Sequence, residues 1–501
     1  MPGIIAQESK KLGGYDFYRE VLGSPKHVVA PMVDQSELAW RKLSRRYGAQ
    51  LIYTPMINAK MFAESAKKGA AYRENNFNLL LGEEGGPEDR PLIVQFCANN
   101  PEQLLISAKI VEPYCDAVDI NLGCPQDIAK KGHYGSFLQD EWDLIYDLIN
   151  ILHRNLSIPV TAKFRVFPTV EKTVEYAKML ERAGAQILTC HGRLREQRGS
   201  RTGLADWEKI KAVKEAVSVP VFANGNILFH SDIERCLTAT GADAIMSAEG
   251  NLYNPALFMS SSSASTNLTA SGSGSVAALP SSPLSSYLTG EHPRHTQLAQ
   301  EYLTIVKSLR TPTSPSAVKG HLFKLLRPAL KRETDLRDRL GRVRVEKGDE
   351  GALWDKYEEI VAELEVRMQR DEKTAEGRSL EDLTRIDEAT GLPLLPHWLA
   401  QPYFRPLPPA DLEDSKKGKN KSQNTSSPNA DRDQDSSVVI DSSLTLVHTV
   451  EPSHPIPLAA VGSKRTSSDR TPDPDDRAVV EEAKRAKLED NTGTGGIAIT
   501  V

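Results

Sequence analysis

Eight short apolar, β-rich runs recur between amphipathic helical stretches, and this alternation constrains the fold more than any other feature of the sequence. The runs are Val28–Met32, Leu51–Thr54, Leu92–Phe96, Ala117–Asn121, Val160–Arg165, Ile187–His191, Val221–Asn224 and Ala244–Ala248. Helical periodicity occupies Ser36–Tyr47, Pro101–Val111, Trp142–Arg154, Thr169–Ala183, Trp207–Ala216 and Ser231–Thr240. Gly48, Gly184 and Gly241 stand where helix C-caps belong. Strands this apolar cannot face water, which predicts an α/β protein with a parallel sheet covered by helices. Eight such units in about 230 residues match the size of a closed (β/α)8 TIM barrel. The alternative is an open doubly wound sheet. It requires a glycine-rich turn after the first strand, and Ala30-Pro31-Met32-Val33-Asp34 is not one.

The barrel is expected over residues 26–259, after a lead-in of residues 1–25. Residues 260–290 are Ser-rich and read as a flexible insertion. Residues 291–404, rich in Leu, Arg, Lys and Glu at helical spacing, read as a smaller all-helical domain, and 405–501 have the composition of a disordered tail. Within the helical stretch, Lys324, Arg327 and Lys331 fall at i, i+3 and i+7, which predicts one basic face. The later run Leu353–Leu380 mixes both signs and reads as a plain exposed helix.

Composition excludes several classes. With 62 basic and 67 acidic residues the chain carries a net charge of -5, so it is no uniformly basic nucleic-acid binder, although a local basic face remains open. Five cysteines, none spaced C-x-x-C, argue against a disulfide scaffold or zinc knuckle, and no cluster has metal-ligand spacing. No run approaches the roughly 18 apolar residues of a membrane helix. The first residues lack the apolar core of a signal peptide. The expectation is an intracellular monomer without membrane or metal, cytoplasmic and/or nuclear. Basic clusters at Lys416–Lys421, Lys464-Arg465 and Lys484–Lys487 suit nuclear import or loose RNA contact.

In a barrel of this kind the chemistry sits at the C-terminal ends of the strands. Those positions hold Pro31, Met32 and Val33, then Gln95, Asn121 running into Gly123-Cys124-Pro125, then Lys163 and Arg165, His191-Gly192-Arg193, Asn224-Gly225-Asn226, and Ala248-Glu249-Gly250. Singly, each has a plain structural explanation: a satisfied amide, a salt bridge, a core histidine, a tight turn. Together, successive strands end in an amide, a thiol, an amine, an imidazole and another amide. A buried lysine is costly without a counter-charge, and the period-two spacing of Lys163 and Arg165 points both cations to one side. The last two loops are where barrels bind phosphate through backbone N–H groups. Cys124 can serve as proton donor or as nucleophile, and spacing does not choose between them.

These motifs are recognisable. Ala30-Pro31-Met32-Val33-Asp34-Gln35-Ser36-Glu37-Leu38-Ala39-Trp40-Arg41 resembles the opening of the tRNA-dihydrouridine synthases. So does Asp119-Ile120-Asn121-Leu122-Gly123-Cys124-Pro125-Gln126, continued by Ile128-Ala129, Gly132, Tyr134-Gly135 and Phe137-Leu138-Gln139. Lys163-x-Arg165, His191-Gly192-Arg193 and Ala223-Asn224-Gly225 match in the same order, and the likeness reaches weakly over Lys319–Lys324. The wording around Asn121 and Val33 resembles the eukaryotic branch that acts on D-loop uridines 16 and 17.

The resemblance implies FMN in the barrel mouth, NADPH or NADH as reductant, and tRNA as substrate. It implies that Pro31, Met32 and Val33 lie along the ring system and that Gln95 and Lys163 bond its polar edge. It gives ribityl and phosphate to His191, Asn224, Gly225, Asn226, Ala248, Glu249 and Gly250. Many bacterial relatives have arginine at the Glu249 slot, so only the backbone of Glu249 is expected to meet phosphate. Cys124 is implied as the proton donor to C5 of a uracil that gains hydride at C6. Asn121, Arg165 and Arg193 are implied on the uracil side, and Lys324 and Arg327 on the RNA. Two rivals remain: another FMN barrel oxidoreductase acting on a small pyrimidine, such as a dihydroorotate dehydrogenase, and a non-catalytic tRNA-binding protein on the same fold.

Overall fold

The computed structural model describes residues 11–68, 71–261, 284–344 and 350–405. Most of the Ser-rich stretch, the expected disordered tail and its basic clusters lie outside the described residues. The eight expected strands are present as β1 (His27–Val29), β2 (Leu51–Tyr53), β3 (Leu92–Cys97), β4 (Ala117–Leu122), β5 (Val160–Arg165), β6 (Leu188–His191), β7 (Val221–Asn224) and β8 (Ala244–Ser247). Each pairs in parallel with its neighbour, β1 pairs with β8, and β2 pairs with β3, so the sheet closes. A two-residue strand that the sequence pattern does not signal, Ile57–Asn58, adds to the end of β3.

Period-two alternation sorts each strand. Val118, Ile120 and Leu122 of β4, like Val160, Ala162 and Phe164 of β5, face outward into the layer packed by the surrounding helices. Inward positions begin apolar, with Val28, Leu51, Ile93, Ala117, Ile187, Phe222 and Ala244. Phe17, Tyr18 and Leu22 of the lead-in pack into that same cluster. Above them the inward positions turn polar, with Gln95, Asp119, Thr161 and Thr189. The strand alternation therefore builds a dry floor and a polar mouth from the same eight strands.

The expected helices form within a residue or two at each end. Helix Leu38–Arg46 starts later because Glu37 caps it, accepting from the Trp40 N–H at 3.3 Å. Gly184 and Gly241 are left-handed C-caps at φ 117° and 65°. Helices Ala59–Lys68, Ala71–Asn76 and Asp127–Gly132 add to the expected set.

Two readings of the helical stretch are corrected. The helix carrying Lys324 ends at Leu325 and a new short helix, Arg327–Leu330, opens with Pro328 near its start, so Lys324, Arg327 and Lys331 do not share one helix face. Helix Glu350–Lys373 is not plainly exposed: Leu353, Tyr357, Ile360, Val361, Leu364 and Met368 are buried along one side. That side packs against Leu298, Tyr302 and Leu322, in a cluster that also holds Ala39, Trp40, Leu43, Leu252 and Tyr253 of the barrel. Barrel and helical elements thus share a core within one compact unit, Met1–Ala410.

Polar contacts lock that seam. Glu37 accepts from Tyr302 Oη at 2.7 Å and from His321 Nε2 at 3.0 Å, and the His321 ring stacks on Trp40 with centroids 4.0 Å apart. Burial alone would raise the Glu37 pKa, but His321 and the hydrogen bonds from His321 and Tyr302 bring it below the usual range, so it accepts as a carboxylate. Tyr302→Phe removes one charge-assisted bond and is expected to lower the unfolding free energy by about 2 kcal/mol, read by urea denaturation. An unchanged midpoint would show the seam does not depend on it.

Candidate active site

Register brings the inward polar residues side by side. Gln95 of β3 lies opposite Asp119 of β4, Asn121 opposite Lys163 of β5, Arg165 opposite His191 of β6, and His191 opposite Asn224 of β7. Lys163 Nζ donates to Asn224 Oδ1 at 2.8 Å, and Asn224 Nδ2 donates to the Met246 carbonyl at 2.8 Å. Burial, with Arg165 nearby, lowers the Lys163 ammonium to about 8. Burial also holds His191 well below its ordinary pKa, with Arg165, Lys163 and Arg193 adding to the effect. His191 is therefore a neutral imidazole at pH 7, and its Nε2 accepts from Arg193 Nη1 at 3.1 Å.

Cys124 sits half-buried on the turn after β4. Asn121 shapes that turn: its Oδ1 accepts from the N–H of Gly123 at 3.1 Å and of Cys124 at 2.9 Å. From the other side, the Cys124 carbonyl accepts from the Ser136 N–H at 3.1 Å and Ser136 Oγ at 2.9 Å. Gly135, at φ 66°, allows this approach, since a Cβ there would stand 2.8 Å from the Cys124 carbonyl oxygen. Burial raises the thiol pKa, so the group is protonated at neutral pH. A held, protonated thiol at a strand end suits proton donation better than nucleophilic attack.

The loops after β7 and β8 come together where no side chain would fit. Gly225 lies at φ 115°, and a Cβ there would meet Ala205 Cβ at 2.6 Å and His191 Cδ2 at 3.2 Å. A Cβ on Gly250 would lie 2.3 Å from the Ile227 carbonyl oxygen. Asn226, at φ 63°, accepts from Arg193 Nη2 at 2.7 Å and from the Ala205 N–H at 3.2 Å. Ala248 caps the short helix Glu249–Tyr253. The Glu249 carboxylate turns to Arg405, accepting from Nη2 at 2.6 Å and Nε at 3.2 Å. Sequence spacing named no partner for Glu249, because Arg405 is 156 residues away.

Pro31 and Met32 are half-buried and Val33 is 58% exposed, so this loop offers an apolar surface beside the mouth. Gln95 Nε2 keeps one hydrogen, and Lys163 Nζ two, without a protein acceptor among the described residues. An apolar edge, spare donors and two glycine-lined loops fit a flat heteroaromatic group carrying a polar rim and a phosphate tail.

The remaining sequence-predicted residues are placed as follows. Arg165 is buried, and its Nε and Nη1 donate to the carbonyls of Gly123, Leu194 and Gln197 at 2.8, 2.9 and 3.2 Å. It ties the loop after β4, which carries Cys124, to the loop after β6. Arg193 donates to Gly203, His191 and Asn226, tying the loops after β6 and β7. Lys324 is half-buried and donates to Gln35 Oε1 at 2.8 Å, back toward the first barrel loop. Arg327 is exposed, with its guanidinium 3.9 Å from the centroid of the Tyr403 ring. Several other cations of the helical stretch are ion-paired: Lys307 with Asp355 and Glu358, Arg332 with Asp371, and Arg339 with Glu363.

Sequence reasoning missed Asp119. It is fully buried one inward step below Asn121, and accepts from Gln95 Nε2 at 2.7 Å and Thr161 Oγ1 at 2.6 Å. Burial raises its pKa to about 6, opposed by those hydrogen bonds. The available signal was a carboxylate at the inward phase of an otherwise apolar strand. Among the described residues no group of His, Cys, Asp and Glu is arranged to hold a metal ion, and no helix is long and apolar enough to cross a membrane.

Residues 28–336 match the family model described as dihydrouridine synthase (Dus). The chain is 46% identical over 405 residues to a Schizosaccharomyces pombe protein named tRNA-dihydrouridine(16/17) synthase, NAD(P)(+), covering 80% of this chain and 92% of that one. A Saccharomyces cerevisiae protein of the same name is 47% identical over 79% of this chain and 88% of its own length. A Mus musculus protein, named as like this synthase, is 46% identical over 82% of this chain and 75% of its own.

Proposed function

The chain belongs to the dihydrouridine synthase family, and on that premise we propose that it reduces the C5–C6 double bond of tRNA D-loop uridines 16 and 17 with NAD(P)H, using FMN bound at the barrel mouth. The observation that carries the reading is the convergence of Gln95, Asn121, Cys124, Lys163, His191 and Asn224 at adjacent strand ends. FMN, when bound, supplies the hydride that reaches C6 of the uracil.

The residues of the chain do the rest. Pro31, Met32 and Val33 would bound the ring system, while Gln95 and Lys163 would meet its polar edge. Gly225, Asn226 and the backbone of Ala248–Gly250 would take the phosphate, in loops packed so closely that a Cβ on Gly225 would meet Ala205 and one on Gly250 the Ile227 carbonyl. Neutral His191 donates through Nδ1, since its Nε2 already accepts from Arg193. Glu249 contributes no carboxylate to an anion because Arg405 engages it. The target uridine must leave its stack to enter the mouth. There the Cys124 thiol delivers a proton to C5, and Asn121, which already shapes the Cys124 turn, keeps one Nδ2 hydrogen for a uracil oxygen. Arg165 and Arg193 act chiefly by fixing the loops around the pocket. Exposed Arg327 beside Tyr403 supports an RNA-facing surface on the helical part, with Lys324 holding the loop behind it.

Incubating the purified protein with NADPH and unmodified tRNA, then mapping dihydrouridine, tests the reading. Dihydrouridine at positions 16 and 17 is expected, and its absence with a flavin-loaded protein would overturn it. A second outcome follows from Lys163, whose ammonium is held near a pKa of about 8. A lowered pKa means the charge is present below that value and lost above it. Affinity of the apoprotein for FMN is therefore expected to weaken as pH passes 8, with Lys163→Met removing that step. A profile identical in both proteins would free Lys163 from this role.

A further inference from the structure

Four hydrogen bonds in three consecutive links run through the barrel interior with a single direction. Asp119 Oδ2 accepts from Gln95 Nε2 at 2.7 Å, Gln95 Oε1 accepts from Asn121 Nδ2 at 2.8 Å, and Asn121 Oδ1 accepts from the N–H of Gly123 and Cys124. A carboxylate accepts and never donates, so it decides which end of the Gln95 amide faces it. That choice leaves only an oxygen of Gln95 for Asn121, which must answer with its NH2 group. Asn121 then has only its oxygen to offer the Cys124 turn. Thr161 Oγ1, at 2.6 Å, fills the second oxygen of Asp119 and keeps it acceptor-only without touching Gln95. Asn and Gln amides have no directional preference of their own, and here the buried carboxylate at one end and the backbone N–H donors of Gly123 and Cys124 at the other set both.

We propose that Asp119 is a positioning residue: it sets the direction of the Asp119–Gln95–Asn121 chain, so that Gln95 keeps an N–H for a bound cofactor and Asn121 holds the Cys124 turn. Asp119 touches neither cofactor nor substrate. Its value for the reaction rests on the roles proposed above for Gln95 and Cys124, but its effect on the turn does not depend on any flavin being bound. In Asp119→Asn the carboxylate is gone and residue 119 can donate, so Gln95 can turn its oxygen toward it and set its NH2 group against that of Asn121, which works against the hold of Asn121 on the turn.

The discriminating experiment measures alkylation of Cys124 by iodoacetamide in flavin-free protein, by peptide mass mapping, beside FMN affinity by fluorescence titration. Asp119→Asn is expected to alkylate at least about five-fold faster at Cys124 and to bind FMN about ten-fold more weakly, as loss of ordered hydrogen bonds permits. Thr161→Val, which removes the other partner of Asp119, is expected to leave both readings within about two-fold. The double variant Gln95→Glu, Asp119→Asn moves the carboxylate one residue along. The amide introduced at position 119 and that of Asn121 can then both donate to the carboxylate introduced at position 95, so the slow alkylation of Cys124 returns while FMN affinity does not. This split is one that a packing role would not produce, and the double variant carries the test even if Asp119→Asn alone does not fold. The proposal is overturned if Asp119→Asn leaves alkylation within about two-fold, if Thr161→Val reproduces its effect, or if the double variant does not restore slow alkylation. Restored slow alkylation with undiminished FMN affinity would instead remove Gln95 from the flavin site, leaving the action of Asp119 on the turn intact.

Discussion

Cys124→Ala is expected to leave FMN bound and to slow dihydrouridine formation by about 10²–10⁴-fold, the range a positioned general acid contributes. The thiol lies on a turn clamped by Asn121 on one side and Ser136 on the other, and each clamp uses backbone atoms of residue 124 rather than its side chain. Alanine therefore keeps the turn and loses only the proton. Burial holds the thiol protonated at neutral pH, so the wild-type rate should not require alkaline conditions. Reduction of bound flavin by NADPH should stay normal, because no part of that step uses the thiol. A colourless variant would mean that Cys124 supports the cofactor pocket. A variant turning over within about ten-fold of wild type would give the proton to another group.

Gly250→Val carries the second large effect. The loops after β7 and β8 approach so closely that a Cβ at 250 would press on the Ile227 carbonyl at 2.3 Å and on Ser247 Oγ at 3.0 Å. The carbonyl is backbone and cannot swing aside as a side chain can, so the loops must part. If those loops take a phosphate, FMN affinity is expected to fall at least about 100-fold, equivalent to about 2.7 kcal/mol. The β-strands beneath are unchanged, so the apoprotein should retain its circular dichroism spectrum. Equilibrium dialysis with FMN reads the loss, and affinity within about five-fold of wild type would move the phosphate elsewhere.

The barrel was legible because its signals are local and repeated. Each strand announces itself by a few apolar residues, each helix by its period, and Gly184 and Gly241 by position. The strand-end set was legible for a related reason: Lys163 and Arg165, or Asn121 before Cys124, break an apolar pattern at the phase that faces inward. Asp119 breaks it equally, yet it lies one layer below the mouth and its partners Gln95 and Thr161 sit on other strands, so its own segment shows the break but not what it serves. Pairings across long separations gave no signal at all, as with Glu249 and Arg405 or Gln35 and Lys324. The helical part shows a different failure. Lys324, Arg327 and Lys331 have helical spacing, but Pro328 divides the segment, and spacing carries no information across a break. In Glu350–Lys373 the apolar stripe of Leu353, Tyr357, Ile360, Leu364 and Met368 was present in the sequence. The mixed charges of the opposite face obscured it.

On this reading the barrel mouth delivers hydride and proton to a uridine held in folded tRNA. This delivery is tested most directly by a single turnover. The flavin-loaded protein is reduced with NADPH, freed of excess nucleotide without oxygen, and mixed with unmodified tRNA while flavin absorbance is followed. Flavin reoxidation is expected to be matched mole for mole by dihydrouridine at positions 16 and 17, with little reoxidation by uridine or other free pyrimidines. Reoxidation by a free pyrimidine as fast as by tRNA, or none by tRNA, would contradict this reading.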